Sequence, residues 1–244
     1  MNLGLEGKLV VVTGAARGIG AAVAKGFKQE GASVLLVDSS KDVADVAESL
    51  GCESLVCDLS LAGATDSVAA ASEKLGGAAI LVNNAGISRP APLQETTNEE
   101  WAAVMDVNLG VAFRLTRALW FQLSSHDGSI VNLASFASKR STLFGNNSSY
   151  VVSKHGIAGL TRAAAFEGAT QGVRVNAIAP GVVDTDLIRS VHDADARTKI
   201  MDLIPQARFA DPSEIADLAL FLASERAGHI CGEVVNINGG LCMD

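Results

Sequence analysis

Seven short apolar runs, at 8–12, 33–37, 54–56, 79–82, 129–133, 173–178 and 233–237, punctuate the sequence. They are rich in Val, Ile and Leu and show little period-two alternation. That is the pattern of strands buried on both faces. Amphipathic stretches at 19–29, 42–49, 62–75, 98–123, 150–169 and 212–223 lie between them and predict helices. Asp58 and Asp211 stand at helix starts, as N-caps or turn residues. Strand–helix alternation along the whole chain predicts βαβ units. The expected architecture is α/β: a parallel sheet with helices on both faces.

A length of 244 residues suits one large α/β domain or two small ones. No linker, repeat or low-complexity tract divides the chain, so 1–244 is read as a single domain. Two segments break the regularity. The stretch 180–210 opens Pro180-Gly181 and then mixes charges, among them Arg189, His192, Asp193, Asp195, Arg197 and Lys199. Its lack of a clean apolar period predicts a substrate lid at about 184–210. The stretch 138–149 contains Gly145, Asn146 and Asn147, which predict a turn.

Composition excludes several classes of function. A formal net charge of −8 without a basic stripe argues against nucleic acid as a partner. No run of 18 apolar residues is present to span a membrane, and residues 1–8 lack the pattern of a signal peptide. The four cysteines form no Cys-x-x-Cys pair and the four histidines are scattered, so no metal site is expected. Reduced thiols and a cytoplasmic location follow from the same spacing.

A glycine-rich turn, Thr13-Gly14-Ala15-Ala16-Arg17-Gly18-Ile19-Gly20, joins the first strand to the first helix. A strand–turn–helix unit of this kind aims backbone N–H groups and a helix N-terminus at a pyrophosphate. Gly14 permits the sharp turn, Gly18 lets the backbone approach the ligand, and Gly20 lets helix and strand pack closely. Asp38 ends the second strand, where a carboxylate accepts hydrogen bonds from ribose hydroxyls and repels a 2′-phosphate. That favours NAD over NADP, although Arg17 in the turn points the other way.

Tyr150, the only tyrosine, is followed four residues later by Lys154. On a helix the two share a face. An adjacent ammonium lowers a phenol's pKa, which predicts a general acid/base active near neutral pH.

These motifs stand in one order with others: Asp58 after the third strand, Asn83-Asn84-Ala85-Gly86 after the fourth, Asn108 in Met-Asp-Val-Asn-Leu, Ser135 after the fifth strand, and Pro180-Gly181-Val182-Val183-Asp184-Thr185 after the sixth. The set closely resembles the short-chain dehydrogenase/reductase family, from Gly7 to Gly240. The resemblance implies a seven-stranded, doubly wound parallel sheet and hydride transfer between a nicotinamide dinucleotide and a carbonyl or alcohol carbon. It implies Tyr150 as acid/base and Lys154 as the residue that lowers its pKa and bonds the nicotinamide ribose. Ser135 would bond the substrate oxygen, and Asn108 would hold a water in a proton relay. Gly14, Arg17, Gly18, Ile19, Gly20 and Asp38 would take one part of the cofactor. Asp58 and Leu59 would lie near the adenine, with Asn83, Ala85 and Gly86 along the cofactor. Pro180, Gly181, Val183 and Thr185 would lie on its nicotinamide side, Thr185 reaching the carboxamide.

Ser135 lies 15 residues before Tyr150, whereas the family usually has 13, so the joining loop carries about two extra residues. Ser138 is the alternative on spacing. Asn238 stands where the family commonly has aspartate. No Gly-x-Ser-x-Gly elbow surrounds Ser135, which argues against a nucleophilic serine. His155 is expected to pack or face solvent, and His192 to be solvated or to touch substrate. Phe136 is read equally as pocket lining or packing. Trp101, Trp120 and Phe121 are expected in the core or at subunit contacts. By resemblance the helix at 98–123 and the tyrosine helix form a four-helix interface, which implies a homotetramer, with a dimer second. The expected activity is an NAD-dependent interconversion of a small or medium secondary alcohol and its ketone. The alternatives are an NADP-dependent 3-oxoacyl carrier-protein reductase, a sugar, polyol or hydroxysteroid dehydrogenase, and a dinucleotide-binding regulator without catalysis.

Overall fold

The computed structural model describes residues 2–143, 145–185, 188–189 and 193–243. His192 lies outside the described residues. Seven strands form one parallel sheet in the order β3-β2-β1-β4-β5-β6-β7. They are β1 (Leu9–Thr13), β2 (Ser33–Asp38), β3 (Glu53–Val56), β4 (Ile80–Asn83), β5 (Ser129–Leu133), β6 (Arg174–Pro180) and β7 (Val234–Ile237). Every residue of β1, β4 and β5 is buried. Burial on both faces explains why these runs lack alternation.

The helices are α1 (Gly18–Gln29), α2 (Asp42–Leu50), α3 (Ala64–Lys74), α4 (Asn98–Met105), α5 (Val111–Ser125), α6 (Ser148–Gly168), α7 (Ala194–Met201) and α8 (Pro212–Ala223). One core lies between the sheet and α1, α2 and α8, centred on Val10, Val12, Phe27, Leu36 and Leu222. The opposite core packs α3, α5 and α6 over Val11, Leu35, Leu81, Leu119 and Ile130. The sheet is therefore doubly wound, and its strand order reverses between β1 and β4. Ligands of such sheets bind beyond the carboxyl ends of the strands at that reversal.

Two expectations change, and for Asp58 the turn reading holds and the N-cap reading does not. The single helix over 98–123 is two helices joined by a π-helical turn, Asp106–Gly110. Periodicity cannot reveal one extra residue within a turn. The irregular stretch 180–210 contains α7, half of whose side chains are polar and whose only buried residue is Ile200. A helix with one buried position shows no apolar period. Asp58 caps no helix: its carboxylate accepts from Ser60 N and Ser60 Oγ in the turn after β3, and α3 starts only at Ala64. Asp211 does cap α8, in a reciprocal box with Glu214.

Candidate active site

Four chain segments meet at the carboxyl ends of β1, β4, β5 and β6. The turns after β1 and β4 are stitched together. Thr13 Oγ1 accepts from the backbone N–H groups of Asn84 and Ala85, both at 3.1 Å, and donates to the carbonyl of Val82 at 3.3 Å. Asn84 Nδ2 donates to the carbonyls of Thr13 at 2.9 Å and Gly14 at 3.0 Å. Sequence reasoning assigned neither Thr13 nor Asn84 a role. Each makes several backbone contacts, and that long-range role leaves no local signal.

The glycine turn meets its expectations in physical terms. Gly14 and Gly18 have φ values of +64° and +56°, the left-handed region that favours glycine. A Cβ on Gly20 would overlap the Gly14 carbonyl and stand 2.6 Å from Asn84 Nδ2. Gly20 is thus required for the strand–helix approach. The first turn of α1 holds no acidic residue, and its N-cap Arg17 is exposed, with no side-chain hydrogen bond or ion pair among the described residues. Gly18 lies under Thr185, whose side chain would be 3.3 Å from an added Cβ. The turn and the Pro180–Thr185 segment therefore face each other at short range. These features fit a dinucleotide: a helix N-terminus without an acidic residue or side-chain cap among the described residues, and glycines where side chains would fill the approach.

Asp38 reaches back into this turn. One carboxylate oxygen accepts from Ala16 N at 3.0 Å and the other from Ser40 N at 2.9 Å. The carboxylate is thereby oriented, and it also holds the glycine turn against β2.

Tyr150 and Lys154 both lie on α6. The Lys154 ammonium is 5.7 Å from the centre of the Tyr150 ring and donates to the carbonyl of Leu133 at 2.6 Å. The Ser135 side chain lies beside the Tyr150 phenol and acts to lower its pKa. Ser135 Oγ also accepts from Ala137 N at 3.1 Å. The hydroxyl of Ser138 points elsewhere, donating to the Ser135 carbonyl at 2.6 Å. Ser135 is therefore the serine beside the phenol. His155 is exposed, with Nδ1 against the carbonyl of Val151.

Burial lowers the Lys154 pKa to about 8. It pushes the Tyr150 phenol up, and Ser135 only partly opposes this. The direction is opposite to that expected from the Tyr150–Lys154 spacing. The reason lies in the order of titration. A desolvated lysine loses its proton before the phenol does, so no cation remains where the phenol would ionise.

Asn108 sits in the π turn and is buried. Its Oδ1 accepts from Ile87 N at 2.7 Å, and its Nδ2 donates to the Ile87 carbonyl at 2.9 Å and to Ser153 Oγ at 3.0 Å. A Cβ on Gly86 would be 3.2 Å from Asn108 Oδ1 and 3.8 Å from Lys154 Nζ. Asn108, Gly86 and Lys154 thus adjoin. Asn83, deeper in β4, donates to Asn132 on β5, and its own Oδ1 is buried without a hydrogen-bond partner among the described residues. Gly181 packs against Asn238, which turns back on Gly240 N and the Cys242 carbonyl. Val183 pairs with Ala210 in an isolated parallel bridge.

The segment over the site has its own small core. Phe136, next to Ser135, packs with Ile200, Ile204, Phe209 and Leu241. Phe136 is thus a packing residue, joining the 200–209 segment to the neighbour of Ser135. Asn147 does more than turn the chain: its Nδ2 donates to Ser88 Oγ at 2.8 Å. An open cleft of about 540 Å³ lies elsewhere, lined by Gln206, Arg208, Glu214 and Asn238. Its charges, Arg208 and Glu214, already pair with each other. Among the described residues no group of three or more His, Cys, Asp or Glu could hold a metal ion, and no helix is long and apolar enough to cross a membrane.

The family model described as enoyl-(acyl carrier protein) reductase matches residues 14–242. The 3-oxoacyl-[acyl-carrier-protein] reductase of Vibrio cholerae is 37% identical over 99% of this chain and 100% of its own length. The chain belongs to the short-chain dehydrogenase/reductase family. It is an NAD(P)-dependent oxidoreductase acting on CH–OH and keto groups. The D-threitol dehydrogenase of Mycolicibacterium smegmatis is 38% identical over 97% of this chain and 93% of its own. Among solved structures, a candidate gluconate 5-dehydrogenase of Beutenbergia cavernae with bound NADP superposes with a TM-score of 0.93 at 37% identity, covering 99% of each chain.

Two predictions arise here. Gly20→Ala should weaken dinucleotide binding at least tenfold and destabilise the fold by about 1–3 kcal/mol, because the Gly14 turn must move to admit the methyl group. Calorimetric titration with NADH and chemical unfolding read both. The second concerns pH. Lys154 titrates near 8 when folded and near 10.5 when unfolded. The folded protein therefore carries a desolvation penalty below pH 8 that disappears as pH rises to 10.5. Between pH 7 and 10.5, wild-type stability should gain on that of Lys154→Met by up to about 3 kcal/mol. Parallel stability curves for the two proteins would refute the buried-ammonium account.

Proposed function

We propose that this enzyme interconverts a small or medium secondary alcohol and its ketone, with NAD as hydride carrier and Tyr150 as acid/base. The observation that carries the reading is the meeting of the Ser135 hydroxyl and the Tyr150 phenol, with the Lys154 ammonium beside the ring. Two hydroxyls able to meet one substrate oxygen form the constellation that hydride chemistry at a C–O bond requires. The nicotinamide, when bound, supplies the hydride acceptor or donor.

In oxidation Tyr150 takes the hydroxyl proton while Ser135 donates to the substrate oxygen. In reduction Tyr150 gives that proton back. Lys154 stands at the inner side of the phenol, able to bond the nicotinamide ribose and to steady charge on Tyr150. Asn108, bonded to Ile87 and adjoining Gly86 and Lys154, would hold the water that passes protons outward. Gly14, Gly18, Gly20, Asn83, Ala85 and Gly86 would line the dinucleotide, with Asp58 and Leu59 at the adenine. Ile19 and Arg17 would lie at the pyrophosphate, and Pro180, Gly181, Val183 and Thr185 at the nicotinamide.

The NAD preference is supported by Asp38, whose fixed carboxylate disfavours a 2′-phosphate. A 3-oxoacyl carrier-protein reductase is the second reading, supported by the named relative. Weighing against a docked acidic carrier, Lys139 and Arg140, beside the site, donate to the carbonyls of Val234 and Leu241. A homotetramer is proposed on the exposed apolar residues Phe113 and Phe121 of α5 and Phe166 of α6, the last two 82% and 86% accessible. Trp120, by contrast, packs on the core beneath α5. A single domain and a cytoplasmic setting with four free thiols complete the proposal.

Tyr150→Phe should lower kcat by about 10²–10⁴-fold and leave NADH binding within a few-fold of wild type. Near-normal turnover on a panel of alcohols and ketones would remove Tyr150 from the chemistry. Asp38→Ala should shift the NAD/NADP ratio of kcat/KM at least tenfold towards NADP. It should also lower the melting temperature by several degrees, because two backbone N–H groups lose a charged acceptor. A wild-type enzyme already favouring NADP would overturn the cofactor assignment.

A further inference from the structure

An ion pair spans the π turn that carries Asn108. Arg114 Nη1 donates to Asp106 Oδ1 at 2.6 Å, and Nη2 donates to Oδ2 at 3.1 Å. Nη2 also donates to the carbonyl of Leu59 at 3.3 Å. In an uninterrupted α-helix, residues eight apart are rotated by about 80° from one another. A π turn absorbs one extra residue. Eight residues then make about two full turns, and the two side chains face the same way. Gly110 lies under the pair: a Cβ there would stand 2.8 Å from Asp106 Oδ1 and 3.0 Å from Arg114 Nη1. The fork-to-fork geometry thus matches the π turn and not the plain helix.

The side chains of Arg114 and Asp106 are 29% and 40% exposed. Solvent screening at that exposure leaves little for global stability. A bidentate pair still fixes geometry. What it fixes here is the segment that puts Asn108 against Ile87 and Ser153. Through Leu59 it also ties that segment to the loop after β3.

We propose that Arg114 is a positioning residue. It staples the π turn, so holding Asn108 in place, and it couples the Leu59 loop, on the proposed adenine side, to the proton-relay side of the site. The relay half of this proposal rests on the function proposed above.

The test compares Arg114→Gln and Arg114→Lys with wild type by amide hydrogen exchange and by steady-state kinetics in H₂O and D₂O. In Arg114→Gln the Ile87 amide, bonded to Asn108 Oδ1, should exchange at least tenfold faster, and the Val12 amide in β1 at an unchanged rate. The same variant should show kcat about tenfold lower, with a larger solvent isotope effect. Lysine, which keeps the charge without the fork, should recover only part of each loss. Unchanged Ile87 exchange would overturn the staple. Faster exchange throughout the sheet would overturn it too, since Arg114 would then support the whole fold. Faster Ile87 exchange with wild-type kcat and isotope effect would overturn the link to the relay. A wild-type protein inactive on every alcohol and ketone would instead overturn the proposed function, with Ile87 exchange still deciding the staple.

Discussion

The close approach of two turns, after β1 and after β4, is the constraint on which the site depends. Parallel strands cannot hydrogen-bond beyond their ends, so the turns need side chains to bind them. Thr13 and Asn84 supply five hydrogen bonds across the gap or beside it. Their geometry leaves room for no side chain at Gly20. Asp38 adds the third side of the frame by holding Ala16 from β2. The result is a rim of backbone N–H groups held apart by rigid strands. A rim of that kind meets an anionic ligand without first ordering itself, which keeps the entropic cost of binding low.

Behind the rim, desolvation governs the chemistry. Lys154 is buried and 5% exposed, and its ammonium is bonded to a carbonyl, with no carboxylate among its hydrogen-bond partners. Its pKa falls towards neutrality for that reason, and the phenol of Tyr150 rises. Burial therefore disfavours the charged form of both groups, and the helix spacing of Tyr150 and Lys154 does not by itself acidify the phenol.

The fold was legible because its determinants are local and repeated. Buried strands such as 129–133 announce themselves by unbroken apolar runs, and the turn at 13–20 by glycines that no other residue replaces. The serine–tyrosine–lysine set followed from order along the chain, and the structure brings Ser135, Tyr150 and Lys154 together. What stayed hidden was non-local or fine in pitch. The π turn changes helical phase by one residue, which no periodicity over 98–123 detects. Thr13 and Asn84 look like ordinary turn residues until β4 is laid beside β1. The pKa order of Tyr150 and Lys154 reverses on burial, a property of the packed helix and not of the spacing.

Relatives named for acyl-carrier and sugar substrates share this scaffold. Under the proposed function, the strand ends would hold the reacting C–O bond and the 184–210 segment would meet the rest of a substrate. The attachments of that segment are of a different kind from those of the rim. Asp184 accepts from Arg189 and Arg197, both at 3.0 Å, and Arg197 stacks on Phe209 at 4.9 Å. Phe209 in turn packs with Phe136, next to Ser135. Side-chain contacts of this sort tolerate substitution more readily than a backbone rim does, because no strand register depends on them. Changes in α7 or in the loop before Tyr150 therefore reshape the pocket wall without disturbing the hydroxyl pair. Under the proposed function, substrate range would vary on one side of Ser135 while Tyr150 on the other side stays fixed.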